Sequence, residues 1–90
     1  MNDDIDANTI PAATATRVLE YLTRQLVDDP DAVAVEVEEG RNRMVLNVRV
    51  APGDMGRVIG KRGRVANAIR TLVRAAAVRD GAEVDVEFLD

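Results

Sequence analysis

Four residues, Gly60-Lys61-Arg62-Gly63, carry the most specific chemistry in this chain. Glycine opens backbone angles closed to other residues and lets a second backbone approach closely. Two cations between two glycines make a turn that can hold an anion through side-chain charge. The free N–H groups and positive dipole end of the helix that follows add to this. Such a turn suits a sugar–phosphate backbone gripped without reading its sequence. The charge pattern agrees. Arg57 to Arg79 contains Arg57, Lys61, Arg62, Arg64, Arg70, Arg74 and Arg79 with no carboxylate, leaving five cations against all sixteen carboxylates elsewhere. The formal net charge of −4 hides a basic block in an acidic surround, and anions respond to local potential rather than to net charge.

Spacing alone leaves a blander reading, a helix C-cap followed by a tight turn with two solvated cations. Two other motifs compete. Gly53-Asp54-Met55-Gly56 repeats the glycine spacing, but its carboxylate repels phosphate and it begins a helix rather than joining two. Gly60-Lys61 resembles the end of a nucleotide-binding P-loop, yet Met55 stands where the earlier Gly is required and Arg62 where Ser or Thr would hold magnesium.

Composition removes most catalytic chemistry. There is no Cys, His or Ser, so disulfides, thiolate zinc sites and the usual neutral-pH acid–base and nucleophilic groups are missing. Asp28-Asp29-Pro30-Asp31 lacks calcium-loop spacing and its Gly, and reads as a solvated turn. No enzyme, metal or cofactor is expected. Ninety residues make one small domain. Nothing in the sequence reads as a secretory leader or a membrane span, so a soluble, cytoplasmic protein is expected.

The elements that must position the turn follow from periodicity. Residues 1–11 are acidic, with little to bury, and are expected as a flexible tail ahead of a single domain over 12–90. Val18, Leu19, Leu22 and Leu26 fall on one helical face, giving a helix over about 12–27 that Pro30 ends. Val33, Val35 and Val37 alternate with polar residues, as do Met44, Leu46, Val48 and Val50. The short turn at Glu39-Gly40-Arg41-Asn42 makes these two strands an antiparallel hairpin. Asp54 is placed to cap a short helix over 55–59. A third helix is expected over 64–79, with Val65, Ile69, Leu72, Val73 and Ala76 inward and Arg64, Asn67, Arg70, Thr71 and Arg74 outward. Residues 83–88 alternate as a last strand. The helical crossover from the second strand to the third favours a parallel, right-handed connection. The fold class expected is α+β, in the order α-β-β-α-α-β, with a three-stranded mixed sheet and its helices on one face.

A helix–GxxG–helix unit set between strands sharpens the motif. Val58-Ile59-Gly60-Lys61-Arg62-Gly63-Arg64-Val65-Ala66-Asn67-Ala68-Ile69 resembles a KH domain, whose GxxG loop clamps about four nucleotides. An extra helix and strand ahead of the core resembles the type II arrangement. Length and pattern are similar to the KhpA family of small bacterial single-KH RNA-binding proteins. The resemblance implies single-stranded RNA as partner, a role as post-transcriptional regulator or RNA chaperone, and a homodimer or a heterodimer with a KhpB-type protein. It makes Gly60, Lys61, Arg62 and Gly63 the backbone clamp and Arg57, Arg64 and Asn67 its rim. It also offers Ile59 and Val65 as an aliphatic floor, for which burial in the core is an equal reading. For Arg70 and Arg74 a solvated helix face is the default. Tyr21 and Phe88, the only aromatics, read as core, so no aromatic stacking platform is expected. Two alternatives stay open. Single-stranded DNA could replace RNA, and the domain could be a protein-interaction scaffold acting through dimerisation.

Overall fold

The computed structural model describes residues 12–89, and within them the α-β-β-α-α-β order is observed. Helix α1 spans Ala13–Leu26, strand β1 Ala34–Glu39, β2 Met44–Arg49, helix α2 Met55–Ile59, α3 Arg64–Arg79 and β3 Val84–Leu89. Short 3₁₀ turns occupy Pro30–Ala32, Pro52–Asp54 and Lys61–Gly63. The expected tail, 1–11, lies outside the described residues.

Strand order is β1-β2-β3, with β1 antiparallel and β3 parallel to the central β2. The register sets Val35 against Val48 and Val37 against Leu46, then Leu46 against Val86 and Val48 against Phe88. Side chains alternate across a strand, so these residues share the face under the helices. Leu46, Val48, Val84 and Val86 are buried there beneath Ala15 and Leu19 of α1 and Ile69, Val73 and Ala77 of α3. Each fully buried Val or Leu contributes about 1.5–3 kcal/mol. The other sheet face carries Glu36, Glu38, Asp85 and Glu87, with Asn47 donating to Glu38. At its rim Arg43 reaches Asp85 at 2.8 Å. That hydrogen bond, with Arg74 adding charge at 3.5 Å, holds the Asp85 carboxyl below the usual carboxylate range.

Two carboxylates tie distant segments together. Asp80, just past α3, accepts from the Thr14 and Ala15 amides at 3.1 and 3.0 Å, serving the first-turn donors that have no intrahelical partner. Asp54 was expected to cap α2, yet its side chain makes no cap hydrogen bond there. It is buried instead and accepts from the Asp28 and Asp29 amides, both at 3.1 Å. The acidic turn is therefore an anchored segment, not merely a solvated one.

Other side chains depart from expectation for equally local reasons. Tyr21 is 63% exposed and Leu72 52%, because each falls off the stripe that its helix buries; at about 100° per residue Tyr21 lies nearly opposite both Leu19 and Thr23. Ala15, Leu19 and Thr23 fill one stripe, and Ala66, Ile69, Val73 and Ala77 fill the other. Phe88 is half-buried, with the Arg70 guanidinium 5.2 Å from its ring centroid.

Candidate nucleic-acid interface

The chain enters the turn from α2, five residues long and held by the fully buried Val58. Gly60 ends this helix, its N–H donating to Gly56 at 3.0 Å. Its angles, φ 75° and ψ 175°, lie in a region essentially restricted to glycine. A Cβ there would sit 2.4 Å from Val65 Cγ2, so glycine is required on two counts. Arg62 (φ 57°, ψ 25°) and Gly63 (φ 73°, ψ 14°) follow as two consecutive left-handed residues. The donors that hold the turn are Gly60, Gly63, whose N–H reaches Gly60 O at 3.2 Å, and Arg64, whose N–H reaches Lys61 O. The Lys61 and Arg62 amides are not among them. Helix α3 then begins at Arg64, presenting its free amides and positive dipole end.

Lys61, Arg62 and Arg64 are exposed, and none forms an ion pair among the described residues. Ile59 and Val65 are half-buried against the core, and Val65 also packs on Gly60. Asn67 is exposed on the first turns of α3 and accepts from Arg70 Nη1 at 3.2 Å.

Three other cations of the basic block are engaged with protein. Arg70 donates through Nε to Val86 O at 3.2 Å, covering the outer edge of β3. Arg74 reaches Asp85 at 3.5 Å. Neither is the freely solvated helix charge expected, because edge strand β3 lies alongside α3 and presents acceptors within reach. Arg57 turns onto two carboxylates, Asp28 at 2.9 Å and Asp54 at 3.3 Å. Asp28 and Asp54 escaped notice in the sequence as part of this site. Their only signal was an acidic turn and a carboxylate close to the motif, both explicable locally.

A family model described as the KhpA/KhpB KH domain matches residues 16–88. The chain belongs to the KhpA/KhpB KH-domain family. It is 48% identical over 73 residues to the RNA-binding protein KhpA of Clostridium acetobutylicum, a match covering 81% of this chain and 97% of that one. A KhpA from Streptomyces coelicolor is 47% identical over 72 residues, covering 80% and 90% of the two chains. Among solved structures, Aquifex aeolicus Era superposes with a TM-score of 0.54 at 23% identity. That match covers 98% of this chain but 32% of Era, and it speaks to the fold alone. The α+β, type II KH layout read from the sequence is the layout of this KhpA/KhpB domain.

Proposed function

We propose that this KhpA/KhpB domain binds single-stranded RNA, without catalysis, in a groove around Gly60-Lys61-Arg62-Gly63. One observation carries the reading. Lys61, Arg62 and Arg64 are exposed, form no ion pair among the described residues, and lie at or beside the two left-handed positions that lead into α3, where main-chain donors and the helix dipole favour phosphate. The curated relatives bear the name RNA-binding protein, which supports RNA over single-stranded DNA. Arg64 and Asn67 form the rim, and Ile59 with the outer side of Val65 the aliphatic floor. One KH domain clamps about four nucleotides, so association with a second copy or a KhpB-type partner would add avidity. The exposed Leu72 and Tyr21 supply apolar surface for that, and they also favour the scaffold as second reading. A post-transcriptional regulator or RNA chaperone in the cytoplasm is the cellular role proposed. No helix among the described residues is long and apolar enough to cross a membrane.

The test is Lys61→Asp with Arg62→Asp, read by fluorescence anisotropy on short RNA across a salt series. A clamp on about three phosphates gives a log–log salt slope near −2, at about 0.7 per phosphate for single strands. The double variant should lose nearly all binding and most of the slope while unfolding as the wild type does. Arg41→Asp with Arg49→Asp, both exposed and outside the Arg57–Arg79 basic block, is the control. Equal losses from both pairs would indicate diffuse electrostatics rather than a groove. Absence of RNA binding by the wild type would transfer the function to the scaffold reading, which light scattering at tens of micromolar would examine.

A further inference from the structure

We infer that Arg57 is a positioning residue: together with Asp54 and Asp28 it latches α2, and so the Gly60–Gly63 turn, to the end of α1. The inference rests on the RNA-binding reading of that turn and gives Arg57 a part in it other than touching RNA.

Helix α2 has five residues, far below the length at which a helix persists unaided, so outside contacts must fix its direction. On its inner side the buried Val58 does this. On its outer side the fixing is polar. The two oxygens of buried Asp54 accept the Asp28 and Asp29 amides, each at 3.1 Å. Arg57, one turn along, closes the arrangement: its Nη2 donates to Asp28 Oδ2 at 2.9 Å, and its Nε lies 3.3 Å from Asp54 Oδ1 as an ion pair. A planar guanidinium can engage two carboxylates at once, where an ammonium is a single point of charge. Three residues beyond Arg57 the chain reaches Gly60. A phosphate approaching Arg57 would also meet Asp28 and Asp54, two anions against one cation, so this is a poor place to hold one.

Asp28→Asn separates the two roles by sign. The Asp28 side chain is 76% exposed, so the domain should fold and melt as before. With the latch, loss of the Asp28 charge loosens α2, and the Kd for a fluorescein-labelled 12-nucleotide oligouridine should rise about threefold. Were Arg57 a phosphate contact, the same change would free a cation and remove an anion, and Kd would fall. Arg57→Gln gives a second discriminant. The latch lowers affinity at every salt concentration with the slope unchanged, whereas loss of a phosphate contact flattens the slope by about 0.7. A third readout needs no RNA. Amide exchange at Gly60 and Gly63, whose N–H groups bond to Gly56 and Gly60, should quicken at least threefold in Asp28→Asn. Unchanged exchange, tighter RNA binding by Asp28→Asn, or a flattened slope in Arg57→Gln would each overturn the latch. A wild type that binds no RNA would remove the RNA reading, and exchange would still decide whether the latch exists.

Discussion

Gly60 and Gly63 both have positive φ, 75° and 73°, yet alanine at the two sites should have very different consequences. At Gly63 the angles are ordinary left-handed helix, and a Cβ would meet nothing within 4 Å. Gly63→Ala should therefore cost about 1–2 kcal/mol, the penalty for an L-residue in that conformation. At Gly60 the ψ of 175° adds a region nearly closed to side chains, worth about 1–3 kcal/mol. The new Cβ would also meet Val65 Cγ2 at 2.4 Å, Val65 Cβ at 2.8 Å and the Val65 nitrogen at 3.0 Å. Forcing those atoms apart adds about 1–3 kcal/mol by analogy with overpacked cores, for a total of about 2–6 kcal/mol. A chain of this length has about 5–13 kcal/mol of stability, so Gly60→Ala should remove a large part of it. Urea unfolding followed by circular dichroism measures each variant. Gly56→Ala, in α2 with nothing within 4 Å, serves as the helical reference and should gain about 0.5–1 kcal/mol. Val65→Ala in the Gly60→Ala background removes the nearest clash but not the Cβ. The double variant should thus be less destabilised than the sum of the singles by about 1 kcal/mol or more. Equal costs at Gly60 and Gly63, or strict additivity with Val65→Ala, would refute the reasoning.

Two further outcomes concern stability. Thr23 is fully buried on α1, and its hydroxyl finds no partner among the described residues; Thr23→Val keeps the shape, removes that orphan group and should stabilise by about 1 kcal/mol in the same urea assay. Burial alone would raise the Asp80 carboxyl, but hydrogen bonds from the Ala15 amide and from the Thr14 hydroxyl and amide outweigh it and leave its pKa below the ordinary value. The folded pKa is the lower one, so this contribution is complete above the unfolded-state pKa of about 3.9 and disappears as pH falls through the folded value. Asp80→Asn should therefore lose about 1 kcal/mol at pH 7, a typical helix-cap penalty, and show a shallower fall in stability between about pH 5 and pH 2 than the wild type.

Much of the fold could be read because the burial pattern is local. The alternation of Val35 with Glu36 and of Val84 with Asp85 marks strands wherever they occur. The second long helix is bracketed by Gly63 and by Asp80-Gly81, and the structure places α3 over the expected Arg64–Arg79. The motif could be read for the same reason, since its backbone demands are written in two glycines and the charges beside them. What escaped was interaction across the chain. Asp54 looks like a helix cap from its neighbours, while its partners lie 25 and 26 residues away. Arg70 looks like a solvated helix charge until β3 is known to run beside α3 and offer Val86 O. Tyr21 reads as core by residue type, yet it lies on the side of α1 opposite Leu19 and Thr23, and its ring stays outside.

The Asp80 cap also has a consequence in time. It joins residues 65 and 66 positions apart, and β2 receives its parallel neighbour only from β3, the last strand. During synthesis at about 5–20 residues per second, α1 therefore waits on the order of 3–13 s before the carboxylate that closes its first turn has been made. The hairpin, complete at Arg49, waits a further 35–40 residues, about 2–8 s at the same rate, for β3 at Val84–Leu89 to pair with its open central strand. An exposed strand edge is the usual template for wrong pairing. The glutamates at Glu36, Glu38 and Glu39 along β1 keep the nascent hairpin charged while the rest of the chain arrives.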